Sequence, residues 1–568
     1  EPPIAGGRGA WRFALEVGPA GVAVGGSVTF HAPPFWGWSP PQTADPDLAG
    51  YTEVSTDAAG VTLTPGPADA GVLRLVVGGR ALASGERVEV AYGAGPAGAE
   101  VDRYVEEAEP FWFAVDGDGD GVRALVPDPP TATIAPGPPA GLIVTVPITA
   151  RPGEEVRLTV AAVDAWGNAT DQASGAFELA STIDVGLPRT LAIGPEGRSE
   201  LRFPAPDQGM FQIGARWGEV TGVSDPLLVH ADAPHVLWAD LQVHTGLSDG
   251  SSSLDDVYTY ARDVAGLDAI AVTDHDHWGM RFLDATPSMW DDEVQAADRW
   301  YAPGRFVTFA AYEWTSWLYG HRHVIYVGPA GPVFGSLDPA TRAPDGLWRA
   351  LRPYDALTIA HHTAGGPVAA DWRVRPDPAM EPVTEVCSVH GSSEAVDTPL
   401  RIYNFVPGNT ARDALGRGYR LGFLCSTDGH DGHPGLAQLQ ASSGGLAAIF
   451  TEDRTREGVA AALRARHTYG TSGPRMLVRL IVDGHEMGDE IPATGAPSTA
   501  EVRVVAGDTI ERIDIIHGGD VLEQRLPGGH AVKEVFELPT LAPGDAVYAR
   551  VLLMGGHAAW TSPVWVTR

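Results

Sequence analysis

Short runs of apolar and β-branched residues, each closed off by glycine or proline, fill the first 230 residues of this sequence and return beyond about residue 475. VLRLVV (72–77), RVEVAY, GLIVTVPI and EVRLTVAAVD stand in the first part; RMLVRLIVDG, EVRVVAG, RIDIIHGG and AVYARVLLMGG stand in the last. Runs of this length between turn residues make strands, and several in succession make sandwiches. The sequence therefore predicts β-sandwich domains at both ends of the chain.

Between them the pattern changes. A capping-box-like start at 253–256 leads into Leu254, Val257, Tyr258, Ala261 and Val264 at helical spacing, and Gly266 closes the helix. DAIAVTD follows as a buried strand, and RFVTFAAYE, HRHVIYVG, ALTIAHH, VTEVCSV and LGFLCSTD read as further ones. Alternating strands and helices predict a largely parallel α/β fold, with a barrel as the closed form. With 568 residues the chain is too long for one core. The expected boundaries are 1–130 and 131–233 for two N-terminal β-domains, 234–474 for the central domain and 475–568 for the last.

Asp plus Glu number 72 against 39 Lys plus Arg, a formal net charge of −33. Such a field repels phosphate backbones, so no nucleic-acid partner is expected. It leaves small anionic substrates open, because bound metal ions reverse the sign locally. Lys533 is the one lysine, which removes Schiff-base chemistry and a Walker-A loop from the central region. Two cysteines, Cys387 and Cys425, are too few for a disulfide scaffold or a cysteine-rich zinc site; they either pair with each other or stay free. No apolar run approaches the roughly 20 residues of a membrane span. The β-rich, Gly/Pro-rich flanks suit a periplasmic or secreted protein. The DGDGDG run at 116–121 has calcium-loop spacing, but its twelfth position is Pro127 rather than glutamate, so a polar turn is expected.

Of the 18 histidines, 12 fall between His235 and His467. Several sit at or just past predicted strand ends, beside carboxylates. The sequence runs Asp240, Gln242, His244 and Ser248-Asp249-Gly250, then Thr273-Asp274-His275, Glu313, His321, His361 and Asp428-Gly429-His430. Imidazole and carboxylate without thiolate suit zinc, manganese or iron. Each such histidine alone is more often a structural, hydrogen-bonded strand-end group than a ligand; the convergence of many favours metal.

These residues resemble the polymerase and histidinol phosphatase (PHP) superfamily, whose pattern is HxH…SDG, TDH, a glutamate, later histidines and a terminal DxH. EWTS…HRHVIY, HGSSE, ALRARHTYGTSGPRM and AWTSPVWV look like a bacterial branch of it with attached β-domains, and RPGEEVRLTVAAVDAWGNAT looks like a bacterial immunoglobulin-like repeat. The resemblance implies a central (β/α)7-like barrel holding two or three divalent ions. By it, His244, Glu313 and Asp428 would hold the first, with Gln242 where the family has histidine. Glu313 would bridge to a second, held also by His321 and His361, and Asp249, His275 and His430 would hold the third. His275, His277 and Asp428 are the expected catalytic groups. Arg322, His323, His362, His390 and Glu394 are the expected substrate-facing ones, and Arg475 is a further candidate anion clamp. The implied activity is hydrolysis of a phosphomonoester or phosphodiester in a small-molecule or polymer-derived substrate. Hydrolysis of an amide, sulfate ester or glycosidic bond, and a non-catalytic surface binding protein with structural metals, are the alternatives; the residues leave the oligomeric state undetermined.

Overall fold

The computed structural model describes residues 2–33, 37–66, 71–436 and 444–568. The chain divides into two compact units, Glu1–Gly137 with Ser251–Ser253, and Pro138–Gly250 with Leu254–Arg568.

The first unit is a β-structure. Its five-stranded antiparallel sheet has the Ser27–His31 strand between Trp112–Asp116 and Val72–Gly78, and its three-stranded sheet centres on Arg87–Tyr92. Val88, Val90 and Tyr92 alternate inward from the second sheet and share one core with Phe30, Leu75 and Phe113 of the first. Asp102, Glu106 and Glu109 lie together with Ser251. Burial pushes the carboxyls of Asp102 and Glu106 well up, and it raises Glu109 to about 7. A carboxyl raised in the fold above its unfolded value of about 4.3 favours folding when protonated. That contribution is complete below the unfolded pKa and is lost as pH rises through the folded one. Thermal unfolding of this unit is therefore expected to shift downward between about pH 4 and 7, by on the order of 1–3 kcal/mol. Glu109→Gln should flatten the slope. A wild-type melting profile with no pH dependence in that window would count against it.

In the second unit, 138–233 forms a three-stranded sheet around Glu155–Val163 and a four-stranded sheet containing Ala176–Ser181 and Ile213–Trp217, packed about Leu158, Val160, Phe177 and Ile213. The remainder is organised by a sheet of sixteen strands. Val236–Asp240, Ala269–Ala271 and Val307–Trp314 run parallel. Arg322–Tyr326 then pairs antiparallel with both Val307–Trp314 and Ala356–Ala360, and Val383–Ser388 and Gly422–Cys425 return to parallel pairing. On its other side Val236–Asp240 pairs antiparallel with Leu446–Phe450, and the ladder continues through Thr468–Thr471 into Ala558–Thr561, Ala546–Leu553 and Ile510–His517.

This overturns the expected (β/α)7-like barrel. Strand makes up 40% of the chain and helix 9%. A (β/α) barrel needs parallel strands, each followed by a helix. Here the segment from Glu313 to Arg322 folds straight back as an antiparallel neighbour, and both pairings of Arg322–Tyr326 are antiparallel. The apolar runs were strands, but strand runs buried on both faces carry no mark of their direction. The last part of the chain adds a separate four-stranded antiparallel sheet, in the order His485–Glu486, Leu477–Val482, Pro497–Val505 and Ala531–Thr540. Val478, Val502, Phe536 and Val551 belong to the same apolar core as Trp238 and Tyr469. Cys387 and Cys425 face each other across parallel strands as buried free thiols. Among the described residues no helix is long and apolar enough to cross a membrane.

Candidate metal centre

Every residue of Val307–Trp314, Arg322–Tyr326, Ala356–Ala360 and Gly422–Cys425 is buried. These apolar strands carry their polar groups at or beyond their ends, and the ends meet. A parallel bridge joins His275 to Glu313, and another joins Val243 to Gly429. The S-D-G turn folds back on His244 so closely that a Cβ at Gly250 would lie 2.4 Å from the His244 carbonyl, which is why glycine stands there. Asp274 holds this turn by accepting from Thr245 N and Oγ1 and from Ser248 Oγ. Asp428 (φ 56°) and His362 (φ 34°) adopt left-handed backbone, a local strain found where side chains must be aimed.

Glu313 is the hub. Its carboxylate lies 2.8 Å from His321 Nδ1, 3.2 Å from His275 Nδ1, 3.3 Å from His361 Nε2 and 3.4 Å from His244 Nε2, and it accepts from Gln242 Nε2 at 3.2 Å. Asp249 lies 3.4 Å from both His275 Nε2 and His430 Nε2. Asp428 lies 3.3 Å from His244 Nε2 and 3.0 Å from His390 Nε2. At this centre four groups offer donors within 4.8 Å of one another: His244, Asp249, His275 and His430; His244, Glu313 and Asp428; Glu313, His323 and His361; and His321, His361 and His362; away from it, among the described residues, Asp116, Asp118 and Asp120 do the same.

The electrostatics suit cations. Burial raises Asp249, Glu313 and Asp428, but the surrounding imidazoles outweigh it and hold all three well below the usual carboxylate range. Burial pulls His244 down, as does His275, yet Asp428 and Glu313 lift it to about 9. Burial and the neighbouring His361 keep His323 and His362 well below the usual imidazole value, hence neutral. Both ring nitrogens of His244, His323 and His361, Nε2 of His321, Nδ1 of His362 and Oε1 of Gln242 are buried and make no hydrogen bond among the described residues. Buried polar atoms are nearly always paired. Orphaned nitrogens and amide oxygen around three ionised carboxylates therefore fit divalent ions.

Over residues 267–399 and 433–496 the chain matches the model of a family described as Protein of unknown function (DUF3604). The matched segments contain His275, Glu313, His321, His323, His361, His362 and His390. A Chlamydia pneumoniae protein described as uncharacterized is 23% identical over 530 residues, covering 85% of this chain and 84% of its own. Another from Chlamydia muridarum is 24% identical over 368 residues, covering 59% and 58%. Solved structures with some likeness include the D0–D1 domain of intimin (9% identity, 40% of this chain and 92% of that one, TM-score 0.14) and Parabacteroides merdae β-glucuronidase (9%, 99% and 79%, TM-score 0.19). TM-scores of this size establish no shared fold.

All nine expected ligands meet at this centre, and His323, His362 and His390 join them. Three expected site residues lie elsewhere. His277 has both ring nitrogens engaged, Nδ1 with Asp276 at 2.7 Å and Nε2 accepting from Trp317 at 3.1 Å. Arg322 points to the opposite side of its strand from His321 and His323, donates to Glu381 at 2.8 Å and lies against Trp314 and Trp348. Glu394 is fully buried and bound to Arg412, Tyr548 and Arg550. Thr315, which is not among the expected residues, also belongs here: its Oγ1 is 2.7 Å from His275 Nδ1. Its signal was its position two residues past Glu313, on the same side of an extended chain.

The 138–233 segment also reaches this region. Asn168, in the WGNAT turn, meets His433 Nε2 at 3.0 Å, and Tyr260 donates to the Gly167 carbonyl while its ring packs 4.8 Å from that of His433.

Proposed function

We propose that the protein is a metal-dependent hydrolase of the PHP kind, acting on phosphate monoesters or diesters and exported to the periplasm or beyond. The observation that carries this reading is the convergence on Glu313 of four imidazoles, with Asp249 and Asp428 ionised beside them. Two or three divalent ions, held by the four donor groups, would supply Lewis acidity and an acidified water. The chain's own residues fix the geometry. His390 orients Asp428, Thr315 orients His275, and Glu313 spans the two halves of the centre. The neutral His323 and His362 stand at its edge as hydrogen-bond partners for a substrate oxygen or as further ligands.

The test is turnover of matched aryl phosphate mono- and diesters by protein loaded with zinc, manganese or iron, against a chelated control. Chelator-sensitive turnover is expected, and the preferred ester sets the substrate class. Absence of turnover at full metal occupancy would reject the phosphoesterase reading.

Gln242 supplies a second test. Its Nε2 donates to Glu313 while its Oε1 is orphaned. Gln242→His replaces a weak amide ligand by imidazole and is expected to tighten one metal step by about tenfold or more. Titration with a competing chelator measures this, and unchanged affinity and stoichiometry would show that position 242 is not a ligand.

A further inference from the structure

At the other ends of the same parallel strands lies a cavity of about 430 Å³ with a different chemistry. His235, Asp268 and Arg305 line it just before the strands Val236–Asp240, Ala269–Ala271 and Val307–Trp314 begin, whereas Gln242, His275 and Glu313 stand at or past the strands' far ends. Seven or eight residues of extended chain separate the two, roughly 22–27 Å. Five arginines share the wall, Arg157, Arg202, Arg305, Arg454 and Arg475, in a protein whose net charge is −33.

The carboxylates there are already engaged. Glu200 is shared by Arg157 (2.8 Å), Arg202 (2.8 Å) and Arg305 (3.6 Å); Asp268 binds Arg454 at 2.5 Å; Glu155 binds Arg202 at 2.6 Å; Glu452 binds Arg151 at 2.6 Å; and Glu154 lies 3.4 Å from His235. Arg475 is left over. It is 8% exposed, its guanidinium donates to the Ala265 carbonyl at 2.5 Å, and no carboxylate lies within ion-pair distance of it among the described residues. Asp225 accepts only its backbone N–H. Arg322, the other arginine singled out by its motif, is buried as well but has Glu381 as partner. Asp268 and Asp225 act on Arg475 only from beyond ion-pair distance; a buried cation without a close counter-charge is costly, and guanidinium matches carboxylate and phosphate bidentately.

We propose that this cavity binds a small oxyanion-bearing molecule, of carboxylate or phosphate type, with Arg475 as its main anchor and Arg305 contributing from the same wall. The volume suits a metabolite-sized ligand. The site is separate from the metal centre and its existence does not depend on the activity proposed above.

The test is calorimetric titration of the metal-free full-length protein with inorganic phosphate and, separately, succinate. Saturable one-site binding of at least one is expected, retained in His275→Ala and weakened about tenfold or more in Arg475→Gln. The better-bound probe identifies the ligand chemistry. Because Arg475 is buried, circular dichroism must show that its variant folds; Arg305→Gln, at a half-exposed position, is the second variant and is expected to weaken binding by severalfold. Three results would each overturn the proposal: no saturable binding of either anion, equal binding in folded Arg475→Gln, or loss of binding in His275→Ala, which would move the anion to the metal centre.

Discussion

Glu313→Gln is expected to empty most of the metal centre while leaving the protein folded. The substitution keeps the shape of the side chain and removes the one charge that meets His244, His275, His321 and His361 together. Glu313 belongs to two of the four donor groups. Its loss should therefore lower metal stoichiometry by at least one ion per chain. Turnover should fall by roughly a thousandfold or more, the equivalent of several kcal/mol of lost charge stabilisation. Elemental analysis after dialysis reads the first, and ester hydrolysis the second. Full stoichiometry in the variant would mean that Glu313 is a structural carboxylate among histidines, and the proposed centre would have to be redrawn around Asp249 and Asp428.

The second large effect is on stability. Arg550 is 1% exposed and binds Glu394 (3.1 Å), Asp397 (3.0 Å) and Asp514 (2.9 Å), while Arg412 (2.8 Å) and the Tyr548 hydroxyl occupy the rest of Glu394. Arg550→Met leaves two fully buried carboxylates, Glu394 and Asp514, with less counter-charge. Breaking such a pair from one side costs about 3–5 kcal/mol. Urea unfolding followed by fluorescence should show a midpoint shift of that size, and Glu394→Gln a smaller shift of the same sign. This pair of variants also decides what Glu394 does. If Glu394→Gln raised KM while leaving the unfolding midpoint in place, the residue would belong to the substrate site after all.

The residues that cluster around Glu313 were legible because imidazole and carboxylate groups recur at or just beyond the ends of apolar runs. Gln242, His244, Asp249, His275, Glu313, His321, His361, Asp428 and His430 all follow or terminate apolar runs, and the runs are strands. What the residues did not show was strand direction. The return from Glu313 to Arg322 is too short for a crossover helix, and that alone argued for an antiparallel neighbour. Parity was available too: with His321 and His323 on one side of an extended segment, Arg322 must face the other, and it does. Glu394 and His277 have their polar groups taken by other side chains. Their partners, Arg550 and Tyr548 in one case and Trp317 in the other, are contacts across the fold that no local spacing announces.

The continuous ladder from Val236–Asp240 through Thr468–Thr471 into Ala558–Thr561 limits how this protein can be divided. A fragment ending near residue 474 would present the Thr468–Thr471 strand as a raw edge, with unpaired backbone donors and acceptors beside the exposed rings of Trp238 and Tyr469. Such edges recruit other chains. A piece that keeps this ladder paired must therefore run from Val236–Asp240 into the last strands. The part that carries the histidine and carboxylate cluster and the last strands are expected to be soluble only when expressed together.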